Sequence, residues 1–436
     1  MGPVDASRAA PPPTPPRRTT LRTVLVLVLG TFAIAGTLVA VVVPGGSRST
    51  TPAPTTEAVA PQAAEPDQPA VPQASSPVVG LAGFPTTDCT PATLAPGSAL
   101  GIGIPRAARL AEGTPERLVF ESAAACLRAI SGGTLTLRTQ VPIDAARRTS
   151  PPNDERAEVE AFAALLTEQA APGVLSIRAH DFTRCGRGGE RRAEEVSELP
   201  NGRALRPCEY PTPGLYAELL TELRGMVDEI MPGADLYWTA WNEPDHPMFT
   251  LLDGLGTIGA ARRAGQYWTQ ASRQLGPDRV LAGEFSDREP AVLLRLRTAF
   301  IEGAGEVPPV WSLHPYRDLT DAEPRAAAAS VRFAKAVAPA PVWWTEVTAR
   351  LSGRGGLSGN PSAQFGRGQW LRDELGREPV RAMLYLLTPP DAARVQAGDT
   401  WDSALADRQG RARPFLCGLA GLDPAECPGS PDAFGG

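Results

Sequence analysis

Residues 234–243 read ADLYWTAWNE, and this stretch decides how the rest of the chain is read. Apolar and aromatic residues carry the run to Trp241, as a half-buried or buried strand demands. It then halts on Asn242, Glu243 and Pro244, with Asp245 and His246 behind. Asn and Pro are ordinary turn residues. A turn has no use for a glutamate held stiffly between them, so what matters is what the chain sets opposite it.

Outward from this stretch, the same unit recurs. Short apolar runs stand at ALGIGIP (99–105), TLTLRTQV (134–141) and VLSIRAH (174–180) before it. RVLAGEF (279–285), PVWSLHPY (309–316), PVWWTEV (341–347) and VRAMLYLL (380–387) follow it. Each precedes a stretch of helical length, such as ERAEVEAFAALLTEQ (155–169), LYAELLTELRGMVDEI (215–230) or RPFLCGLAGL (413–422). Continuous apolar strands alternating with helices predict a parallel sheet built from βαβ units. Eight such units are the number that closes a (β/α)8 TIM barrel. The alternative is a doubly wound open sheet, but GIGIPR lacks the third glycine of that fold's nucleotide-binding first turn.

Barrel chemistry sits at the C-terminal ends of the strands. That rule selects Glu243 after the fourth run and Glu346 in the seventh, His314 and Tyr316 at the end of the sixth, and Arg138 toward the end of the second. Two carboxyl groups facing each other across a barrel mouth are the equipment of glycoside hydrolysis, one protonated and one ionised.

WNEPD (241–245), HPY (314–316) and WWTEV (343–347), in that strand order, resemble clan A of the glycoside hydrolases, most nearly families 39 and 5. The resemblance extends over roughly residues 99–422. It implies a retaining (β/α)8 enzyme without cofactor or metal, with Glu243 as general acid/base and Glu346 as nucleophile. Asn242 would then bind the sugar hydroxyl beside the reacting carbon, Tyr316 would hydrogen-bond the nucleophile, and His314 would line the site. Arg138 would keep Glu346 ionised. The clan's tryptophan at the end of strand eight has no clear counterpart, since Tyr385 and Trp401 both stand near that position.

Other conspicuous residues have plainer explanations. Trp241, Trp311, Trp343 and Trp344 lie on or near strands, where aromatics are mostly core; Trp344 shares alternation with Glu346, which would turn it toward the substrate. His180 is expected to be structural, and Asp245 and His246 are a local ion pair or substrate contacts. The glycine-rich loop 350–360 is a weak candidate for a phosphate cradle, because its glycines do not open a helix. Arginines in the loop 181–211 hint at an anionic substrate.

Composition removes several rivals. Lys335 is the only lysine and lies in a helical stretch, which excludes a Schiff-base aldolase with its lysine at a strand end. Three scattered histidines cannot furnish the usual amidohydrolase metal set. There is no G-x-S-x-G elbow, and at net charge -6 no basic stripe points to nucleic acid.

The N-terminal region has its own grammar. VLVLVLGTFAIAGTLVAVVV (24–43) is uncharged and long enough to span a bilayer as a helix, and Arg17, Arg18 and Arg22 before it place the N-terminus in the cytoplasm. A cleaved signal peptide is the alternative. Residues 1–20 read as a disordered tail, and 45–77 as a Pro/Ala/Thr-rich linker too poor in apolar residues to fold. The catalytic domain is expected over 78–436, outside the cell membrane, as a monomer acting on a poly- or oligosaccharide. Six cysteines without a CxxC motif fit disulfides in such a compartment, with Cys185–Cys208 and Cys417–Cys427 expected as local staples. A non-catalytic glycan-binding barrel and a transglycosylase with the same intermediate remain alternative functions.

Overall fold

The structure is a computed structural model of the chain. It describes residues 89–427 except 134, 148–153, 180–196, 199–203, 206–209, 247–254, 287, 321–327, 352–356, 358–359, 390–401 and 408–409. The expected anchor and linker, His180, Cys185, Cys208, Trp401 and most of the loops 181–211 and 350–360 lie outside the described residues. Among the described residues, no helix is long and apolar enough to cross a membrane.

Eight parallel strands close a barrel in sequence order. They are β1 (Ala99–Ile104), β2 (Leu135–Pro142), β3 (Gly173–Arg178), β4 (Leu236–Thr239), β5 (Val280–Phe285), β6 (Trp311–Leu313), β7 (Val342–Val347) and β8 (Arg381–Leu384). Closure comes from β8 lying beside β1, with Ala99 opposite Arg381. The helices that cover them are α1 (Pro115–Ser131), α2 (Glu155–Gln169), α3 (Pro213–Ile230), α4 (Gly256–Leu275), α5 (Pro290–Ala304), α6 (Ala329–Val337), α7 (Pro361–Arg377) and α8 (Pro414–Ala420). The (β/α)8 expectation is met and the open sheet is not.

Local chemistry explains where the helices begin. Thr114, Asp154, Thr212 and Asn360 each accept a hydrogen bond from the backbone N–H three residues on, satisfying a donor that the helix itself leaves free. α1, α3, α5, α7 and α8 open on proline, whose missing N–H is not needed there. In the outer layer α4 crosses α5 at Gly265 and Gly303, where a Cβ would collide with the backbone carbonyls of Phe300 and Arg262. Gly368 and Gly418 play the same part between α7 and α8. Cys89 is joined to Cys126 on α1, and the expected Cys417–Cys427 bond holds the segment after α8.

Inside the barrel, polarity changes along the axis. Val174, Leu281, Trp343 and Met383 form an apolar plug with Tyr237 packed against it. The Arg381 guanidinium lies 4.4 Å from the Trp343 ring centroid. Two or three residues further along their strands, Ser176, Thr239 and Glu284, with Arg138 of β2, replace that plug with a buried polar layer.

Two strands break the two-residue alternation. In β5, Gly283 pairs with Ser312 and Phe285 with Leu313, so Glu284 is an extra residue, at φ 48°. In β7, Trp344 pairs with Ala382 and Val347 with Leu384, three steps on one strand against two on the other. Such bulges reverse which face the following side chains occupy.

Candidate active site

The turn after β4 is tied down from both sides. Asn242 N–H donates to the Ile177 carbonyl at 2.7 Å, on β3, and Glu243 N–H donates to the Glu284 carbonyl at 3.1 Å, on β5. Glu243 has φ 43°, in the left-handed region where a non-glycine residue is uncommon. Asp245 locks the turn further: it accepts from Ser286 N–H at 2.8 Å, Ser286 Oγ at 2.7 Å and Arg288 Nε at 2.9 Å. Its ion-pair partner is therefore Arg288, where the sequence suggested His246.

From this platform Glu243 faces Glu346. A carboxylate oxygen of each and a ring nitrogen of His314 all lie within 4.8 Å of one another, and all three residues are buried. Arg138 stands behind the pair and serves three acceptors: Glu346 Oε1 from Nη1 at 2.7 Å, Glu284 Oε1 from Nη2 at 2.8 Å, and Asn242 Oδ1 from Nη2 at 2.9 Å. Gln140, two residues along β2 from Arg138, donates to Glu346 Oε1 at 2.7 Å. Tyr316 OH donates to the other oxygen, Oε2, at 2.8 Å. His314 Nδ1 lies 2.9 Å from Glu243 Oε1 and 3.8 Å from Glu346 Oε2.

The electrostatics follow from this geometry. Burial pushes the Glu346 carboxyl up, but the His314 and Arg138 charges beside it outweigh burial and hold it below the usual carboxylate range. Burial likewise opposes ionisation of Glu284, and the Arg138 guanidinium, the His314 ring 3.4 Å away and a hydrogen bond from Thr239 drive it well below that range. Burial disfavours the His314 cation, yet Glu346, Glu243 and Glu284 surround it and push its pKa up to about 10. Burial and the charge of Glu346 raise the Tyr316 hydroxyl, which stays a neutral donor.

Of the residues selected from sequence, Glu243, Glu346, Asn242, His314, Tyr316 and Arg138 converge on one hydrogen-bonded cluster. Trp344 does not. It is buried on the outer face of the barrel, stacked on Trp370 of α7 with ring centroids 6.2 Å apart. The bulge in β7 is the reason: it turns Glu346 inward while Trp344 keeps the outward side. Two residues went unselected, Gln140 and Glu284. Gln140 shares the inward alternation of Arg138 and was available to a period-two reading; Glu284 was not, because alternation from Leu281 turns it outward. Tyr385 reaches toward the pocket over Gly103, where a Cβ would come within 2.8 Å of its ring.

Glu243, His314 and Glu346 carry the atom types of a metal site. The carboxylate lone pairs are committed to His314, Arg138, Gln140 and Tyr316, and the His314 and Arg138 cations already balance the carboxylates. The donor set suits an organic substrate better than an ion.

No protein-family model matches the chain, and no curated protein does. Among solved structures it is similar to a GH5_18 protein from Bifidobacterium longum subsp. infantis, at 14% identity and TM-score 0.47 over 74% of this chain and 78% of that one. It is similar to an exo-β-1,4-mannosidase from an Opitutaceae bacterium, at 14% identity and TM-score 0.45 over 76% of this chain and 60% of that one. A third is xylanase 10B from Thermotoga maritima, at 14% identity and TM-score 0.44 over 74% and 94%. The closed parallel barrel is the fold that the clan A resemblance implies. The chemistry is carried by the site's own side chains.

Proposed function

We propose that this chain is a retaining glycoside hydrolase acting on a β-linked glycan. The observation that carries the reading is the approach of Glu243 and Glu346 to within 4.8 Å. Retaining enzymes hold their two carboxyl groups about 5–5.5 Å apart, and inverting ones about 6.5–9.5 Å to admit a water. The environments also separate their duties. Glu346 is surrounded by donors and cations that favour its charged form, which suits a nucleophile. Glu243 is joined to a titratable ring, which suits a group that must give and take a proton.

In the first step, a Glu346 oxygen bonds to the anomeric carbon as the bond to the leaving oxygen breaks and Glu243 gives that oxygen a proton. In the second, water attacks the same carbon, Glu243 takes the water's proton, and Glu346 departs as carboxylate. Asn242 is oriented for the sugar: Arg138 has no lone pair to offer, so Oδ1 faces it and the amide N–H2 turns toward the pocket.

We place the barrel outside the cell on a single-pass anchor at residues 24–43. The uncharged apolar run behind an arginine cluster supports this, as do the Cys89–Cys126 and Cys417–Cys427 disulfides, which persist in oxidising compartments. An activated 2-fluoroglycoside should label the protein at Glu346, seen by peptide mapping. Glycan retention without turnover, unchanged in Glu346→Gln, would leave a binding module instead. Products longer than the substrate would mark transfer to another sugar.

A further inference from the structure

Glu284 cannot touch a substrate, since it is fully buried. Its carboxylate is nonetheless the most heavily engaged in the barrel. Oε1 accepts from Arg138 Nη2 at 2.8 Å, Arg138 Nε at 3.2 Å and Ser176 Oγ at 2.8 Å. Oε2 accepts from Thr239 Oγ1 at 2.5 Å. His314 Nε2 makes no hydrogen bond and lies 3.4 Å from Oε1, at ion-pair distance, while Nδ1 on the other edge of the ring meets Glu243. A bulge and a left-handed backbone bring this side chain inward, where regular pleating would have left it outside.

We propose that Glu284 is a positioning residue for the acid/base proton: it holds the Nε2 edge of His314 and the head of Arg138. The exchangeable proton then lies between His314 Nδ1 and Glu243 Oε1, and Nη1 of Arg138 is left for Glu346. This deepens the glycosidase reading and rests on it for its catalytic meaning. The Glu243–His314 pair gives up one proton, through the Glu243 carboxyl, to the departing oxygen as its bond to the anomeric carbon breaks. The attacking water returns one proton to the pair. The charged and titratable groups around Glu284 are Arg138 from β2, His314 after β6 and, beyond those two, Glu243 and Glu346. Ser176 and Thr239 add neutral hydroxyls from β3 and β4.

The direction of the Glu284→Gln effect follows from charge. Without the anion, the pair holds its proton less tightly, so the alkaline limb of the kcat/KM–pH profile moves to lower pH. Glu346 then has Arg138 undivided, so the acid limb moves the same way. Loss of a charge this close corresponds to a shift of about one pH unit or more. A purely structural role would lower the rate and leave both limbs in place, and that result would overturn the proposal.

A second measurement needs neither turnover nor a Glu284 variant. The chain has three histidines, so 15N-histidine NMR of the full-length protein can resolve His314, assigned by its absence in His314→Asn. Both ring nitrogens should be protonated at pH 7, and Nδ1 should release its proton before Nε2 as the pH rises toward about 10. A His314 that loses the Nε2 proton first would overturn the assignment even if the enzyme is active. The expected tautomer in a protein that cleaves nothing would uphold the positioning while the glycosidase reading fails.

Discussion

Arg138 reaches Glu346 from across the barrel, its Nη1 2.7 Å from Oε1, with both side chains almost wholly enclosed. The guanidinium fork lets one residue meet Glu346, Glu284 and Asn242 together, which a lysine ammonium could not match in geometry. The charge of Glu346, the buried Glu284 anion and the orientation of the Asn242 amide are thus set by a single cation.

Arg138→Met should therefore damage both folding and chemistry. Removing one partner of a buried ion pair leaves its carboxylates uncompensated and costs about 3–5 kcal/mol. Denaturant unfolding should show that loss. Unchanged stability would mean the carboxylates had found protons or other donors.

Tyr316→Phe isolates one hydrogen bond. The hydroxyl meets Glu346 Oε2, the oxygen that Arg138 does not touch. A bond to a charged acceptor is worth about 1.5–3 kcal/mol, so kcat should fall roughly 10- to 100-fold at that energy. KM should hardly move, and unfolding stability should fall by a similar energy, because the bond is already made in the free protein. A rise in KM alone would assign the tyrosine to ground-state binding.

The pH dependence of stability has two arms. Glu346 has a lowered pKa in the folded state, so its contribution is present above the unfolded value of about 4.3 and is lost as pH falls through the folded one. His314 is raised to about 10, so its contribution is complete below the unfolded value of about 6.5 and disappears as pH rises through the folded one. The thermal midpoint should decline steadily across that upper interval. In His314→Asn the decline should flatten; an identical slope would show that other groups cause it.

Trp344→Ala tests the outer face. Truncating a buried tryptophan costs about 3–5 kcal/mol, here through loss of packing on Trp370. Affinity for substrate should be unaffected in the fraction that folds. A raised KM at full stability would restore Trp344 to the pocket.

How far the chain announces this site depends on whether each strand is regular. Along β2 the alternation runs without interruption, so Arg138 was visible from its place near the strand's end. Asn242 and Glu243 were visible because turn residues interrupt an apolar run. In β5 and β7 one extra residue reverses the inward face, and no pattern of apolar and polar letters records that. Hence strict alternation turns Glu284 outward, and it sets Trp344 on the same side as Glu346. The glycine at 283 was the one local hint, since an isolated glycine in a strand often marks a bulge.

Glu243 and Glu284, whose backbones meet through one hydrogen bond, both occupy the left-handed region that favours glycine. A chain selected only for durability would relax there, toward glycine or asparagine at 243, and would surrender the carboxyl proposed as proton donor in doing so. Thermostabilising searches that rank positions by conformational comfort should single out these two sites along with Ala170. Glu243 and Glu284 are the ones to leave alone.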